Sequence, residues 1–305
     1  MSEWKGQTRG GVLGHKIFVW TLKYLGISFA YFLLVFVVIY FLFTSGKALR
    51  NLYNYFRKIQ HFSLLKTLTG ICQNYYIFGQ VLIDRVAMLA GFQQKFTFTF
   101  EGEEYLRQMD NGGLVVSGHV GNWEIAGQML NRLGKKINIL IVDAERRQVK
   151  SYLDNVMNRN VHFIVIKDDF SHLAEIKNAF EKGEIIAMHG DRFIEGNKTV
   201  ECDFMEKPAR FPVGPANIAA RFKVPISYVF AIRETSKHYH FSATPLSTVA
   251  FSNNLKMRDM LLKEAVVEYV TAFEAVVRKF PVHWFNYYDF WNLQSKNKPI
   301  EKGEL

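Results

Sequence analysis

The chain has 305 residues, 49% of them hydrophobic and 15% aromatic, with a formal net charge of +10. That supports one large domain or two small ones and leaves apolar surface for lipid. The basic balance suits anionic headgroups, nucleic acid or an acidic protein, yet no zinc-finger spacing, RNP motif or long Lys/Arg block is present, so nucleic acid is set aside as a partner. Cys72 and Cys202 have no metal-ligand spacing, which argues against a disulfide scaffold and fits a reducing compartment.

Tyr24 to Gly46 carries no charge and includes the apolar and aromatic run Phe32 to Phe43. At ~1.5 Å per helical residue it can cross a ~30 Å hydrocarbon core. A signal peptide fits less well, because the run is rich in Phe and Tyr and lacks a small-x-small cleavage site. A buried core helix or a deep interfacial helix would carry the same pattern. Lys5, Arg9, Lys16 and Lys23 precede the run, and Lys47, Arg50, Arg57 and Lys58 follow it, so loop charge gives little orientation. Residues 47–62 predict a basic amphipathic helix, with Leu49, Leu52, Tyr53, Phe56 and Ile59 at helical spacing. Such a helix can lie among lipid headgroups or pack on a globular domain. Residues 63–90 predict one or two more helices.

From Phe92 the pattern changes. Lys95–Glu101 alternates Phe96, Phe98 and Phe100 with polar residues, as a strand does. Strands are predicted at Leu114–Ser117, Ile137–Val142, His162–Ile166, Ile185–Met188 and Ile226–Ile232, with a late one at Tyr239–Ala243. Helices are predicted at Glu124–Leu133, Glu145–Met157, Ser171–Glu181, Pro215–Phe222 and Leu255–Phe280. The alternation implies an α/β fold, a mixed sheet flanked by helices, behind an N-terminal membrane helix. The expected divisions are 1–46 as tail and anchor, 47–91 as a membrane-proximal helical region, 92–295 as the catalytic domain and 296–305 as a polar tail.

Strand-end residues of an α/β sheet gather at one edge, where ligands bind. His119 follows the first strand of the alternation, and Glu124 stands in the first turn of the next helix. A histidine so placed can take a proton from a hydroxyl or amine, while a carboxylate holds its ring in one tautomer. A solvated pair is the plainer alternative. His189-Gly190-Asp191-Arg192 follows a second strand, and Phe211 to Asn217, with Gly214, leads into a helix. Both can equally be ordinary turns. Arg146 and Arg147 suit bidentate binding of a phosphate or carboxylate, or else a solvated helix face. No Gly-x-Ser-x-Gly elbow, Walker motif or dinucleotide fingerprint occurs, and no histidines show metal spacing. Direct transfer without metal or cofactor is therefore expected, His119 deprotonating an acceptor that is itself the nucleophile.

Gly118-His119-Val120-Gly121-Asn122-Trp123-Glu124 resembles the Gly-His-x-Gly-Asn-Trp-Glu of the bacterial lipid A biosynthesis late acyltransferases, the lauroyl/myristoyl transferase family. Gly190-Asp191-Arg192, Val213-Gly214-Pro215-Ala216 with Arg221, and Pro281-Val282-His283-Trp284-Phe285 resemble its later segments in the same order. Phe285, Asn286 and Arg192 depart from the commoner residues there. The resemblance implies a glycerolipid-acyltransferase-like fold on the cytoplasmic face of the inner membrane. It implies a fatty acyl thioester donor, on acyl carrier protein or CoA, and a lipid acceptor. A lipid A precursor is the default acceptor, and an amino-acid lipid or another glycolipid the alternative. On this likeness His119 is the general base and Glu124 its orienter. Asp191 and Arg192 position the acceptor or structure the site, and Arg146 and Arg147 contact phosphate. The helix opening near Asn122 offers free N–H groups for an oxyanion. The +10 charge would attract an acidic carrier and an anionic membrane surface. The segment from Trp284 to Trp291 suits either a membrane interface or a core. The same fold could also serve a lipid-binding protein without turnover, or a metal-dependent phosphate hydrolase.

Overall fold

A computed structural model describes residues 20–22, 24–123, 125, 133–142, 161–166, 169, 171–193 and 196–291. Helix α1, Gly26–Thr44, is long and apolar enough to cross a membrane by length and composition. It runs against α3, Leu64–Ala87, whose first turn is capped by Ser63 accepting from Lys66 N at 3.3 Å. Between them lie α2, Gly46–Asn54, and a π-helical turn at Tyr55–Ile59. Ile27, Ala30, Tyr31, Leu34 and Val38 form one helical stripe of α1 and are buried. Gly79 on α3 allows the close approach: a Cβ there would stand 2.3 Å from Leu34 Cδ1. Phe32, Phe36, Tyr40 and Phe43, on the other faces of α1, are exposed.

Most of the apolar stripe of the predicted amphipathic helix packs on the protein, with Leu49 half-buried and Tyr53 exposed. Leu52, Phe56 and Ile59 are buried. Asn51 Nδ2 donates to Tyr287 O at 3.0 Å, and Tyr55 Oη donates to Pro281 O at 3.1 Å. The C-terminal aromatic segment resolves the same way. Trp284 is fully buried, its ring centre 5.0 Å from those of Tyr55 and Phe290 and 5.6 Å from that of Phe204.

Nine strands are described: β1 Thr97–Glu101, β2 Gly113–Ser117, β3 Ile137–Val142, β4 Val161–Ile166, β5 Ile185–His189, β6 Thr199–Phe204, β7 Lys207–Pro212, β8 Ile226–Arg233 and β9 His238–Ala243. Seven form one sheet in the order β1-β9-β8-β2-β5-β3-β4. The β8–β9 pair is antiparallel and the other pairs of this sheet are parallel, so the sheet is mixed. The short helix α4, Glu103–Arg107, follows β1. Helices α5, His172–Glu181, α6, Gly214–Phe222, and α7, Leu255–Lys279, flank the sheet. The fold is thus the α/β architecture expected. β2 and β8 are buried at every position, as central strands covered on both faces are.

The β6–β7 hairpin was not expected. Its turn is Met205-Glu206, with φ of +56° and +64°, a left-handed pair that glycine or asparagine usually supplies. Pro208 and Pro212 also disguise β7, because proline cannot donate to a ladder. The predicted helices Glu124–Leu133 and Glu145–Met157 fall largely or wholly outside the described residues.

Candidate active site

β2 and β5 are parallel neighbours in the register Ser117↔His189. Gly190 N donates to Ser117 O at 2.9 Å, so the pairing continues past the strand ends. His119 and Asp191 each stand two residues beyond a register partner, and this brings them together. His119 Nδ1 lies 2.8 Å from Asp191 Oδ1, and His119 N donates to Asp191 Oδ2 at 3.0 Å. One carboxylate thus grips both the ring and the backbone of the histidine. Asp191 is 1% exposed and His119 7%. Burial by itself would raise the Asp191 carboxyl. The charge of His119, its hydrogen bond, and the charges of Arg192 and His189 outweigh burial and hold it well below the usual carboxylate range. An ionised Asp191 accepts a proton-bearing Nδ1 and leaves Nε2 of His119 as the basic nitrogen.

The turn carrying His119 is clamped from both sides. Asn122 N donates to Ala231 O at 2.7 Å, Gly121 N to His283 O at 3.0 Å, and Phe285 N to His119 O at 2.9 Å. Asn74 on α3 holds the far side, donating to Val282 O at 2.9 Å and Trp284 O at 3.0 Å. Gly121 has φ +64°, and a Cβ there would lie 2.1 Å from Ala231 O. Gly121→Ala is therefore expected to cost more than the ~1–2 kcal/mol of a left-handed alanine. Thermal unfolding would register this as a lower midpoint. An unchanged midpoint would mean that the turn is not under this constraint.

His189 and Trp123 complete the ring cluster. The His189 ring centre is 4.4 Å from that of His119, and the Trp123 ring lies 5.1 Å from His119 and 5.4 Å from His189. Sequence reasoning noted both residues inside their motifs and gave neither a role. The register that sets His189 beside Ser117 is the signal that finds it. His119, His189 and Asp191 offer ligand atoms within 4.8 Å of one another, a grouping that could hold a metal ion and that sequence spacing does not reveal. The 2.8 Å separation of Nδ1 and Oδ1 is that of a direct hydrogen bond. An ion bound to both at ~2.1 Å in tetrahedral geometry would hold them ~3.4 Å apart.

Burial brings the His189 imidazole down to about 3, His119 and Arg192 adding to that and Asp191 opposing it. Burial, helped by Arg233, lowers His283 to about 4. Both rings are neutral in the folded protein where the unfolded chain, with histidines near 6.5, begins to bind protons. The unfolded state then holds more protons, so stability falls as pH drops from about 6.5 toward 4. Unfolding midpoints measured across this window should decline, and less steeply in His283→Asn. Equal slopes in the two proteins would remove His283 from the account.

The remaining expected residues divide as follows. Asn122 is buried; its Oδ1 accepts from Ile125 N at 3.3 Å, and its Nδ2 donates to Tyr239 Oη at 3.3 Å. Its side chain thus caps the helix start and braces it. Arg192 donates to Phe285 O at 2.9 Å, and its guanidinium carbon lies 5.6 Å from the Tyr288 ring centre. Gly214 opens α6, and its neighbours Pro212 and Pro215 line a small cavity with Val116, Gly190 and Tyr269. Glu124, Arg146 and Arg147 lie outside the described residues.

The family model for the bacterial lipid A biosynthesis acyltransferases matches residues 11–286. The chain belongs to that family. It is an acyltransferase acting on lipid substrates. No curated protein matches it. Among solved structures, it is similar to the 1-acyl-sn-glycerophosphate (LPA) acyltransferase PlsC from Thermotoga maritima. The two are 15% identical over 81% of this chain and 98% of that one, with a TM-score of 0.36.

Proposed function

We propose that this acyltransferase moves a fatty acyl chain from a thioester, on acyl carrier protein or CoA, to a hydroxyl or amine of a lipid, most simply a lipid A precursor. His119 is the general base and Asp191 its orienter. The observation that carries this is the bond from His119 Nδ1 to a buried carboxylate, which leaves Nε2 for the acceptor. Nε2 takes the acceptor proton as the acceptor oxygen (or nitrogen) attacks the thioester carbonyl. The C–S bond then breaks, and the leaving thiolate takes the proton from His119.

Because Asp191 already holds Nδ1, Glu124 is assigned a role in handling the acceptor rather than in orienting His119. Arg146 and Arg147 are assigned to acceptor phosphate, Arg192 and Gly214 to the walls of the site. N–H groups at the helix start beside Asn122 are assigned to the oxyanion. No cofactor enters. Residues 1–46 anchor the chain and 92–295 catalyse, at the cytoplasmic face of the inner membrane. The +10 charge draws in an acidic carrier and anionic lipid, a pull that weakens with salt.

Lipid mass spectrometry on cells with and without the gene tests the proposal. Loss of one acyl chain from a defined lipid supports it and names the acceptor and chain together. An unchanged lipidome, with no thioester turnover by the purified enzyme, would favour lipid binding without catalysis.

A further inference from the structure

A buried charged network lies on the far side of Asn122 from His119. Asp84, on α3, is fully buried, and its carboxylate accepts from three groups at once. Arg233 Nε donates to Oδ2 at 2.9 Å, and the hydroxyls of Tyr31 and Tyr239 donate to Oδ1 and Oδ2. Four of the five Arg233 N–H donors are used: besides Nε, Nη1 donates to Gln80 Oε1 at 2.9 Å, and Nη2 to Ser236 O at 2.9 Å and Tyr31 Oη at 3.1 Å. Tyr239 then passes the chain on, its hydroxyl accepting from Asn122 Nδ2 at 3.3 Å.

The members come from four elements. Tyr31 is on α1, Gln80 and Asp84 on α3, Arg233 at the end of β8, and Tyr239 on β9, its register partner. Burying such a pair is costly, and well-packed apolar residues would often be equally stable or more so. Stability alone is therefore a weak reason for the arrangement. What it achieves is a continuous hydrogen-bonded path from the apolar helix to the residue that caps the helix beside His119.

We infer that Tyr31, Asp84, Arg233 and Tyr239 are positioning residues for acyl transfer, which fix the Asn122 side chain, and through it the alignment of the backbone-clamped His119 turn, more tightly when α1 is docked. The inference rests on His119 being the acting base. α1 is then a working part of the catalytic domain, and its removal or loosening slows the chemical step through Asn122.

The test uses the full chain in phospholipid vesicles made from the host's polar lipids. Free thiol released from acyl-carrier-protein and CoA thioesters is the readout. Tyr31→Phe and Tyr239→Phe remove only the hydroxyls. Each is expected to lower kcat about 10-fold, a sub-ångström loss of alignment, with KM for the thioester within about two-fold of wild type. In an Asn122→Ala background Tyr31→Phe should add nothing, because its path is already cut. Wild-type kcat in the folded tyrosine variants overturns the inference, as do effects that multiply independently with Asn122→Ala. Should Tyr239→Phe fail to fold, Tyr31→Phe decides alone. His119→Ala in the same assay separates the two ideas. An active His119→Ala sinks the site assignment. An inactive one beside a wild-type Tyr31→Phe sinks only the coupling.

Discussion

Replacing His119 by alanine is expected to abolish measurable acyl transfer while the chain still folds. Removal of a positioned general base costs about 10²–10⁴-fold in turnover, and no second base is proposed to stand in for it. The fold survives because the bonds that seat this turn are made by backbone. His119 N still reaches Asp191 Oδ2, and His119 O still accepts from Phe285 N. Asp191 does lose a partner for Oδ1, so some fall in the unfolding midpoint is expected, and His119→Gln should recover part of it by restoring a donor. Turnover of an acyl thioester, measured beside thermal unfolding, keeps the two effects apart. Wild-type turnover in either variant would end the general-base assignment.

Asp191→Asn should be nearly as damaging to turnover. The asparagine amide is the same size but can donate to Nδ1. That moves the ring proton to Nε2, and the nitrogen meant to accept a proton then carries one. Loss of an orienting carboxylate of this kind costs up to ~10⁴-fold in the serine-protease triad, a worked precedent rather than a value for this enzyme. Steady-state kinetics should show kcat falling with KM little changed, because Asp191 is buried and behind the ring from the substrate side. If Asp191→Asn keeps its activity while Glu124→Gln loses it, the orienting role passes back to Glu124.

The order of strands and helices was readable because their periods differ. β1 alternates phenylalanines, and β2, β3 and β8 are short apolar runs between turns. What could not be read was which strand lies beside which. His119 and Asp191 are 72 positions apart, and only the parallel register of β2 with β5 makes them neighbours. That is why the resemblance makes Glu124, close in sequence, the orienter and leaves Asp191 to position the acceptor or structure the site. The Asp84–Arg233 pair, 149 positions apart, was invisible for the same reason. An acid inside an apolar helix can be marked as odd, but its partner cannot be named. The β6–β7 hairpin escaped through its residue chemistry, a left-handed Met-Glu turn and two prolines. For the C-terminal aromatics, rings that suit an interface also suit a core; Trp284 and Phe285 are core, and Tyr287, Phe290 and Trp291 pack half-buried against it.

The one-sided docking of α1 has a consequence for geometry. While docked along Ile27, Ala30, Tyr31, Leu34 and Val38, α1 is restrained from spinning about its own axis or swinging as a tether. In a bilayer its outer stripe, Phe29, Phe32, Phe36, Tyr40 and Phe43, faces the hydrocarbon in one fixed orientation. With α1 spanning the bilayer as proposed, the rest of the enzyme would ride alongside it at a constant depth. On the proposed reading, the height of His119 above the lipid tails works as a ruler, admitting acceptors whose reactive group projects from the membrane by that distance.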